Sequence, residues 1–202
     1  TSKLQGHAML LYNTGTTFEM YGGTIKDGYA ANHYGANIGM GAGTILRMYG
    51  GKIENGKVER VTTNSPYGGN IGAIGGNSKI YIYGGEIANG SALNGGNIYS
   101  DGELYILGGT IKDGTANRVN NAYGLGGNIY ATKKVEIKDA VIEGGTAHAG
   151  GNIYAILPAT MTIEDSVIKG GHALSGGGNI GGYYKPLVIK NTEIADGIAD
   201  DA

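Results

Sequence analysis

The chain has 202 residues, with 15 lysines and arginines against 17 aspartates and glutamates, 41 glycines and no cysteine. A net charge of −2 gives no electrostatic basis for binding nucleic acid or an anionic membrane, and no apolar run is long enough to insert as a spanning helix. Without cysteine there is no disulfide framework and no thiol chemistry.

In chain order, Gly6–Tyr12 reads as the close of a first coil, with Ala8 in the place that isoleucine takes later. Tyr21–Gly28 spells Tyr-Gly-Gly-Thr-Ile-Lys-Asp-Gly. It returns as Tyr49–Gly56, Tyr83–Gly90 and Leu107–Gly114, and in diverged form as Lys138–Gly145, Glu164–Gly171 and Lys190–Gly197. An apolar-x-apolar pair leads into each copy, as in Ile80/Ile82, Leu104/Ile106 and Val135/Ile137. After each comes Gly-Gly-Asn-Ile or a near copy, whose asparagines are Asn37, Asn70, Asn97, Asn128, Asn152 and Asn179. They are spaced by 24 to 33 residues, one fixed landmark in a variable unit, which is the mark of a solenoid.

Within each unit the apolar residues alternate over three to five positions and are then interrupted by glycine. That pattern predicts short strands with one buried face, and helical spacing is absent. Glycine runs at about three times ordinary usage without a triplet period, which excludes collagen. The chain is therefore expected to be all-β: a right-handed parallel β-helix of about seven coils, with three strands and three corners per coil. Ile25, Ile53, Ile87, Ile111, Ile142, Ile168 and Ile194 should form one interior column, and the asparagines an internal amide ladder. Residues 1–202 read as a single β-helix domain. Neither end reads as a polar capping repeat, so a piece of a longer multidomain protein is expected.

The strand motif ending in Gly-Gly-x-Ile-x-Asp-Gly and followed by Gly-Gly-Asn-Ile-Tyr resembles the β-helical repeats of bacterial surface and secreted proteins, which are similar in fold to the pectate-lyase-like superfamily. The resemblance covers about Thr16 to Asp200. It implies an extracellular or cell-surface bacterial setting and a carbohydrate partner. It does not carry an activity, because that fold hosts lyases, hydrolases and adhesins alike. The polygalacturonase-like motifs are not reproduced: Asn191-Thr192-Glu193, Asp200-Asp201 and Gly171-His172-Ala173 stand in the wrong order and with substitutions. Arg47, Arg60 and Arg118 are the only arginines. Arg47 has no carboxylate cluster in its coil, as a calcium-dependent lyase would need.

No catalytic residue, metal site or cofactor is therefore expected. Asp139 and Asp165 form a weak acidic pair at equivalent positions of consecutive units, continued by Asn191. A glycosidase needs two such carboxylates, but Asp and Asn also shape turns. Asp27, Asp113 and Asp196 alternate with Asn55, Asn89, Gly144 and Gly170, which fits a turn column better than a calcium site. His148 and His172, in consecutive units, could approach each other. The loops Lys57–Tyr67 and Thr115–Leu125, with Arg60, Arg118 and Tyr123, are where inserted function would sit.

One surface feature stands out. Outward positions before the Gly-Gly corner read Glu19/Tyr21, Arg47/Tyr49, Tyr81/Tyr83 and Tyr105/Leu107, then turn charged or polar. Tyr49, Tyr81, Tyr83 and Tyr105 are the candidate ligand-binding residues, since tyrosine joins an apolar ring to a polar tip. Tyr99, Tyr130 and Tyr154 form a second column. Lys112, Glu143 and Lys169 are expected to pair across coils. Two functions follow. One is a non-catalytic adhesin or stalk that recognises a polysaccharide or a host or partner protein. The other is a carbohydrate-active enzyme, a polysaccharide lyase or glycoside hydrolase.

Overall fold

A computed structural model describes residues 7–59, 67–118 and 122–201. The described residues form a parallel β-solenoid of four seven-stranded sheets. Each sheet takes one strand from each successive coil, so every neighbouring pair is parallel. Face I runs from Met9–Leu11 to Ile180–Gly182, and face II from Thr17–Met20 to Leu187–Lys190. Face III runs from Thr24–Lys26 to Glu193–Ala195, and face IV from Tyr29–Ala31 to Ile198–Asp201. Among the described residues no helix is long and apolar enough to cross a membrane.

The coil has four strands, not three. In the sequence face IV looks like part of a corner, because in the middle coils its strands shrink to Ser91–Ala92, Thr115–Ala116 and Thr146–Ala147. Two residues show no alternation, yet they pair in register across coils. The start of the chain is also shifted by one residue from expectation. Met9 pairs with Ile38, so Met9 takes the isoleucine place and Ala8 precedes it.

The isoleucine column forms as expected in register, from Ile25 opposite Ile53 to Ile168 opposite Ile194. Ile53, Ile87, Ile111, Ile142 and Ile168 are fully buried, whereas Ile25 is partly exposed and Ile194 is 42% exposed at the two ends of the stack. With Ile71, Ile98, Leu104, Ile129 and Ile153 they make one continuous core along the rod. Like side chains meet like because parallel strands about 4.8 Å apart repeat the same lateral position.

The asparagines do form a ladder. Each amide nitrogen donates to the amide oxygen one coil further on, from Asn37 to Asn70, Asn97, Asn128, Asn152 and Asn179, at 2.7–2.8 Å. The second N–H of Asn128 goes to the Glu143 carbonyl, and its Oδ1 also accepts from the Gly114 N–H. Both donors and both lone pairs are thus used, as burial requires.

The ladder explains the Asp-Gly pairs. Asp27, Asn55, Asn89, Asp113 and Asp196 have φ of 51–59°. This is left-handed geometry that Asn, Asp and Gly tolerate best, and Gly144 and Gly170 fill the same column. At the next position, a Cβ on Gly114 would stand 2.7 Å from the Asn128 Oδ1. Only glycine lets the backbone close on the amide.

Candidate functional site

Face II carries the exposed aromatic surface. The register sets Glu19, Arg47, Tyr81, Tyr105, Glu136, Thr162 and Val188 in one column. Tyr21, Tyr49, Tyr83 and Leu107 follow the strand ends in the next column. The rings stack along the rod: Tyr21 on Tyr49 at 4.8 Å, Tyr49 on Tyr83 at 4.9 Å and Tyr81 on Tyr105 at 4.8 Å, with planes within 8° of parallel. Tyr81 and Tyr83 are 6.1 Å apart, so the two stacks form one patch. All four candidate tyrosines are brought together there.

The shorter stack is closed at both ends. The Arg47 guanidinium lies over Tyr81 at 5.7 Å, and the Lys134 ammonium over Tyr105 at 4.6 Å. Each cation has its own carboxylate, Glu19 for Arg47 and Glu136 for Lys134. The aromatic column therefore ends where a lysine covers the last ring face, a cation–π arrangement. Charge also surrounds the hydroxyls. Tyr105 donates to Glu103 at 2.8 Å, and Lys79 pairs with the same carboxylate. Burial and then that hydrogen bond hold the Tyr105 phenol above its ordinary pKa. The Tyr105 hydroxyl, ahead of Lys79, holds Glu103 below the usual carboxylate range.

Stacking decides what the patch offers. Rings packed face to face hide their faces from solvent and present edges and hydroxyls. Tyr49 and Tyr83 are 40% and 39% exposed, while Tyr81 and Tyr105 are half-buried. The patch is a ridge of phenol edges rather than a row of open ring faces.

The other candidates lie apart from the ridge, with Asp139 and Asp165 at the same corner of consecutive coils, as their spacing implied. Asp139 and Asp165 occupy left-handed corners with φ of 51° and 49°. Asp165 accepts from Asn191 at 3.2 Å and lies 3.8 Å from the Lys138 ammonium. Both carry the turn geometry that Asn191, at φ 44°, shares. The two histidines do not pair. The register puts His172 opposite Thr146. His148 stacks on Tyr123 at 3.9 Å instead, and His172 meets Asp200 at 3.0 Å. Arg118 lies over the Tyr123 ring at 5.0 Å. Arg60, most of the first loop and the middle of the second lie outside the described residues. Among the described residues no three His, Asp or Glu side chains group as a metal site would need.

The second tyrosine column differs from its sequence reading. Tyr99 and Tyr130 point away from the core of face I yet are 9% and 8% exposed. A neighbouring column of bridge residues, Tyr34, Tyr67, Asn94, Leu125 and Ala149, runs beside them. Burial pushes the Tyr130 phenol up to about 12 and raises Tyr99 further. The missed signal was the residue three before each ladder asparagine.

These features define a class, a parallel β-solenoid with an aromatic ridge on one face. Comparison with family models, curated proteins and solved structures finds no match.

Proposed function

We propose that the protein is a rigid, non-catalytic module of an extracellular or bacterial cell-surface protein, a stalk or adhesin that holds the ridge of Tyr49, Tyr81, Tyr83 and Tyr105 toward a macromolecular partner. The observation that carries the proposal is exposure: two tyrosine stacks lie side by side on one sheet face, and Tyr49 and Tyr83 keep about 40% and 39% of their surface open to solvent. Rings already fixed by their neighbours lose little conformational entropy on binding. Tyrosine is enriched at the centres of interfaces for its apolar edge and polar tip.

A partner protein fits the ridge better than a polysaccharide does. Sugars stack on open aromatic faces, and here both faces of Tyr49, Tyr81 and Tyr105 are taken by other rings, Arg47 or Lys134, which leaves Tyr21 at the end of the longer stack as the open ring. A polysaccharide would be held by the hydroxyls and by Glu103, Lys79 and Arg47. The lyase or hydrolase alternative would place its acidic pair at Asp139 and Asp165, which serve left-handed corners.

The test uses labelled protein on glycan and protein arrays, with the parent compared with the double variant Tyr49→Ala, Tyr83→Ala. Partner binding should fall at least about tenfold, the equivalent of roughly 1.4 kcal/mol, with the β circular dichroism signal intact. Equal binding by the folded variant to every hit would remove the ridge from the function. Hits confined to glycans would favour the polysaccharide.

A further inference from the structure

Face I carries a second place where a ring can be received, independent of the ridge on face II. Two neighbouring columns share the space outside this face. One is the ladder column, Leu10, Gly39, Gly72, Tyr99, Tyr130, Tyr154 and Gly181 in register. The other is the bridge column Tyr34, Tyr67, Asn94, Leu125 and Ala149, each three residues before its ladder asparagine. In the last coil that place is Gly176, whose Cβ would stand 3.4 Å from the Ala149 Cβ.

The two columns compensate for each other. Where the ladder has Gly39 and Gly72, the bridge has Tyr34 and Tyr67. Where the ladder has Tyr99, Tyr130 and Tyr154, the bridge has Asn94, Leu125 and Ala149. Tyr67 shows how the exchange works. Its ring, supplied from the bridge, lies 4.2 Å from the Tyr99 ring and 14° from parallel. A ring from outside the ladder thus continues the stack beyond its first tyrosine, Tyr99.

The coil of Gly181 breaks the rule, because both columns are glycine there. Tyr154 is the last ring of the stack, 5.8 Å from Tyr130. Beside it opens a cleft of about 410 Å³ lined by Tyr154, Gly176, Gly181, Ser175, Tyr183 and Tyr184. Its volume falls within the roughly 300–1,000 Å³ of small-ligand sites. Tyr184 packs against the core and forms a fixed wall, whereas Tyr183 is exposed. The Tyr183 and Ser175 hydroxyls supply polar groups at the rim.

We propose that this cleft binds a phenolic ring, which stacks on Tyr154 as Tyr67 stacks on Tyr99. The ligand class follows from what the chain itself puts in the equivalent space. A flat ring gains stacking on Tyr154, and its hydroxyl can reach the rim. The ring can come from a free small phenol or from a tyrosine side chain of a partner polypeptide.

Two-dimensional NMR of the full chain, titrated with p-cresol, tests the site. Saturable shifts are expected at Tyr154, Gly176 and Gly181, and cyclohexanol, of similar size but without a π face, should bind more weakly. Tyr154→Phe should keep the affinity within about twofold, and Tyr154→Leu should lower it roughly tenfold by removing the stacking partner. Gly176→Asn gives a second route. Asparagine tolerates the left-handed φ of 81° at this position and puts a side chain on the lining of the cleft. It should also weaken binding, with the rest of the spectrum unchanged. An extended tyrosine-containing peptide that binds more tightly than p-cresol would identify the side-chain source, and the reverse order the free phenol. Absence of saturable shifts at these residues, equal binding of cyclohexanol, or full affinity in both Tyr154→Leu and Gly176→Asn would overturn the proposal.

Discussion

The longer tyrosine stack on face II and the tyrosine stack on face I share little beyond ring geometry. On face II, Tyr21, Tyr49 and Tyr83 stack at 4.8–4.9 Å and stay exposed. On face I, Tyr99, Tyr130 and Tyr154 stack at 5.3–5.8 Å, and the first two are nearly sealed. The spacing in both comes from the coil repeat, about 4.8 Å between parallel strands. Stacking is therefore a property of the fold and carries no functional information by itself. Exposure depends on the neighbours: on face I the bridge column of Tyr67, Asn94, Leu125 and Ala149 runs beside the rings, whereas on face II Tyr21, Tyr49 and Tyr83 are each followed by a bare Gly-Gly corner. A tyrosine ladder on a solenoid should be judged by its neighbours before it is judged by its rings.

The largest effect should come from what both ladders stand on. Asn128 makes four hydrogen bonds, to Asn97, Asn152, Gly114 and Glu143. Asn128→Ala strands buried partners of each, at roughly 1–3 kcal/mol per orphaned group. Against a typical stability of about 5–15 kcal/mol, the variant should unfold at far lower urea than Lys112→Ala. Similar midpoints would mean that the amide ladder does not hold the coils in register.

The comparison itself is sharpened by removing one ring from each stack. Tyr130→Ala opens a cavity in a sealed column and should cost roughly 3–5 kcal/mol. Tyr49→Ala removes a ring that is 40% exposed and should cost less than about 1 kcal/mol. Equal losses in thermal or urea unfolding would show that face I is not covered as described.

What the sequence made legible was whatever repeats as the same residue at the same place. The isoleucine and asparagine columns recur at one landmark per coil, and the register follows from them. The left-handed corners were legible for the same reason, because Asp, Asn and Gly exchange there for a shared backbone need. The face II ridge was readable because alternation puts Tyr81 and Tyr105 outward. Its capping by Arg47 and Lys134 was not, since the lysine comes from a turn rather than from the strand repeat. Burial of Tyr99 and Tyr130 was hidden too: the cover is a column of unlike residues, Tyr67, Asn94, Leu125 and Ala149, that no identity search aligns. The fourth face escaped because two-residue strands leave no period.

Alkaline titration probes the sealed stack on face I. Burial raises the Tyr130 phenol from 10.0 to about 12. An unfolded chain would lose that proton near pH 10, before the folded one does, so the unfolded state binds fewer protons between the two values. Stability from this group is complete below about pH 10 and is lost as pH rises toward 12, on the order of 2 kcal/mol in all. Tyr130→Phe should flatten that part of the stability curve, read as urea midpoints across the range. A parent and variant that lose stability in parallel would place Tyr130 in water.

Face III provides the smallest effect and a control in which charge replaces rings. The expected run of Lys112, Glu143 and Lys169 forms only in part, with Lys169 on Glu143 at 3.4 Å. Lys112 turns instead to Glu86 at 2.8 Å, and Lys52 joins Glu86 at 3.1 Å and Glu54 at 2.8 Å. The reason is lateral: Ala88 interrupts the column opposite Lys112, which leaves room for a diagonal reach to Glu86. Glu86 then holds two lysines, and the Lys112 hydrogen bond, ahead of the one from Lys52, keeps its carboxyl below the usual range. These side chains are partly exposed, so each pair contributes only about 0.2–1 kcal/mol. Glu86→Gln should lower stability by that amount at low salt, and the difference should shrink at high ionic strength as screening sets in. Tyr49→Ala should show no such salt dependence, because stacked rings carry no net charge to screen. A Glu86→Gln loss that persists unchanged in high salt would mean that packing of the side-chain stems, and not the charges, joins these coils.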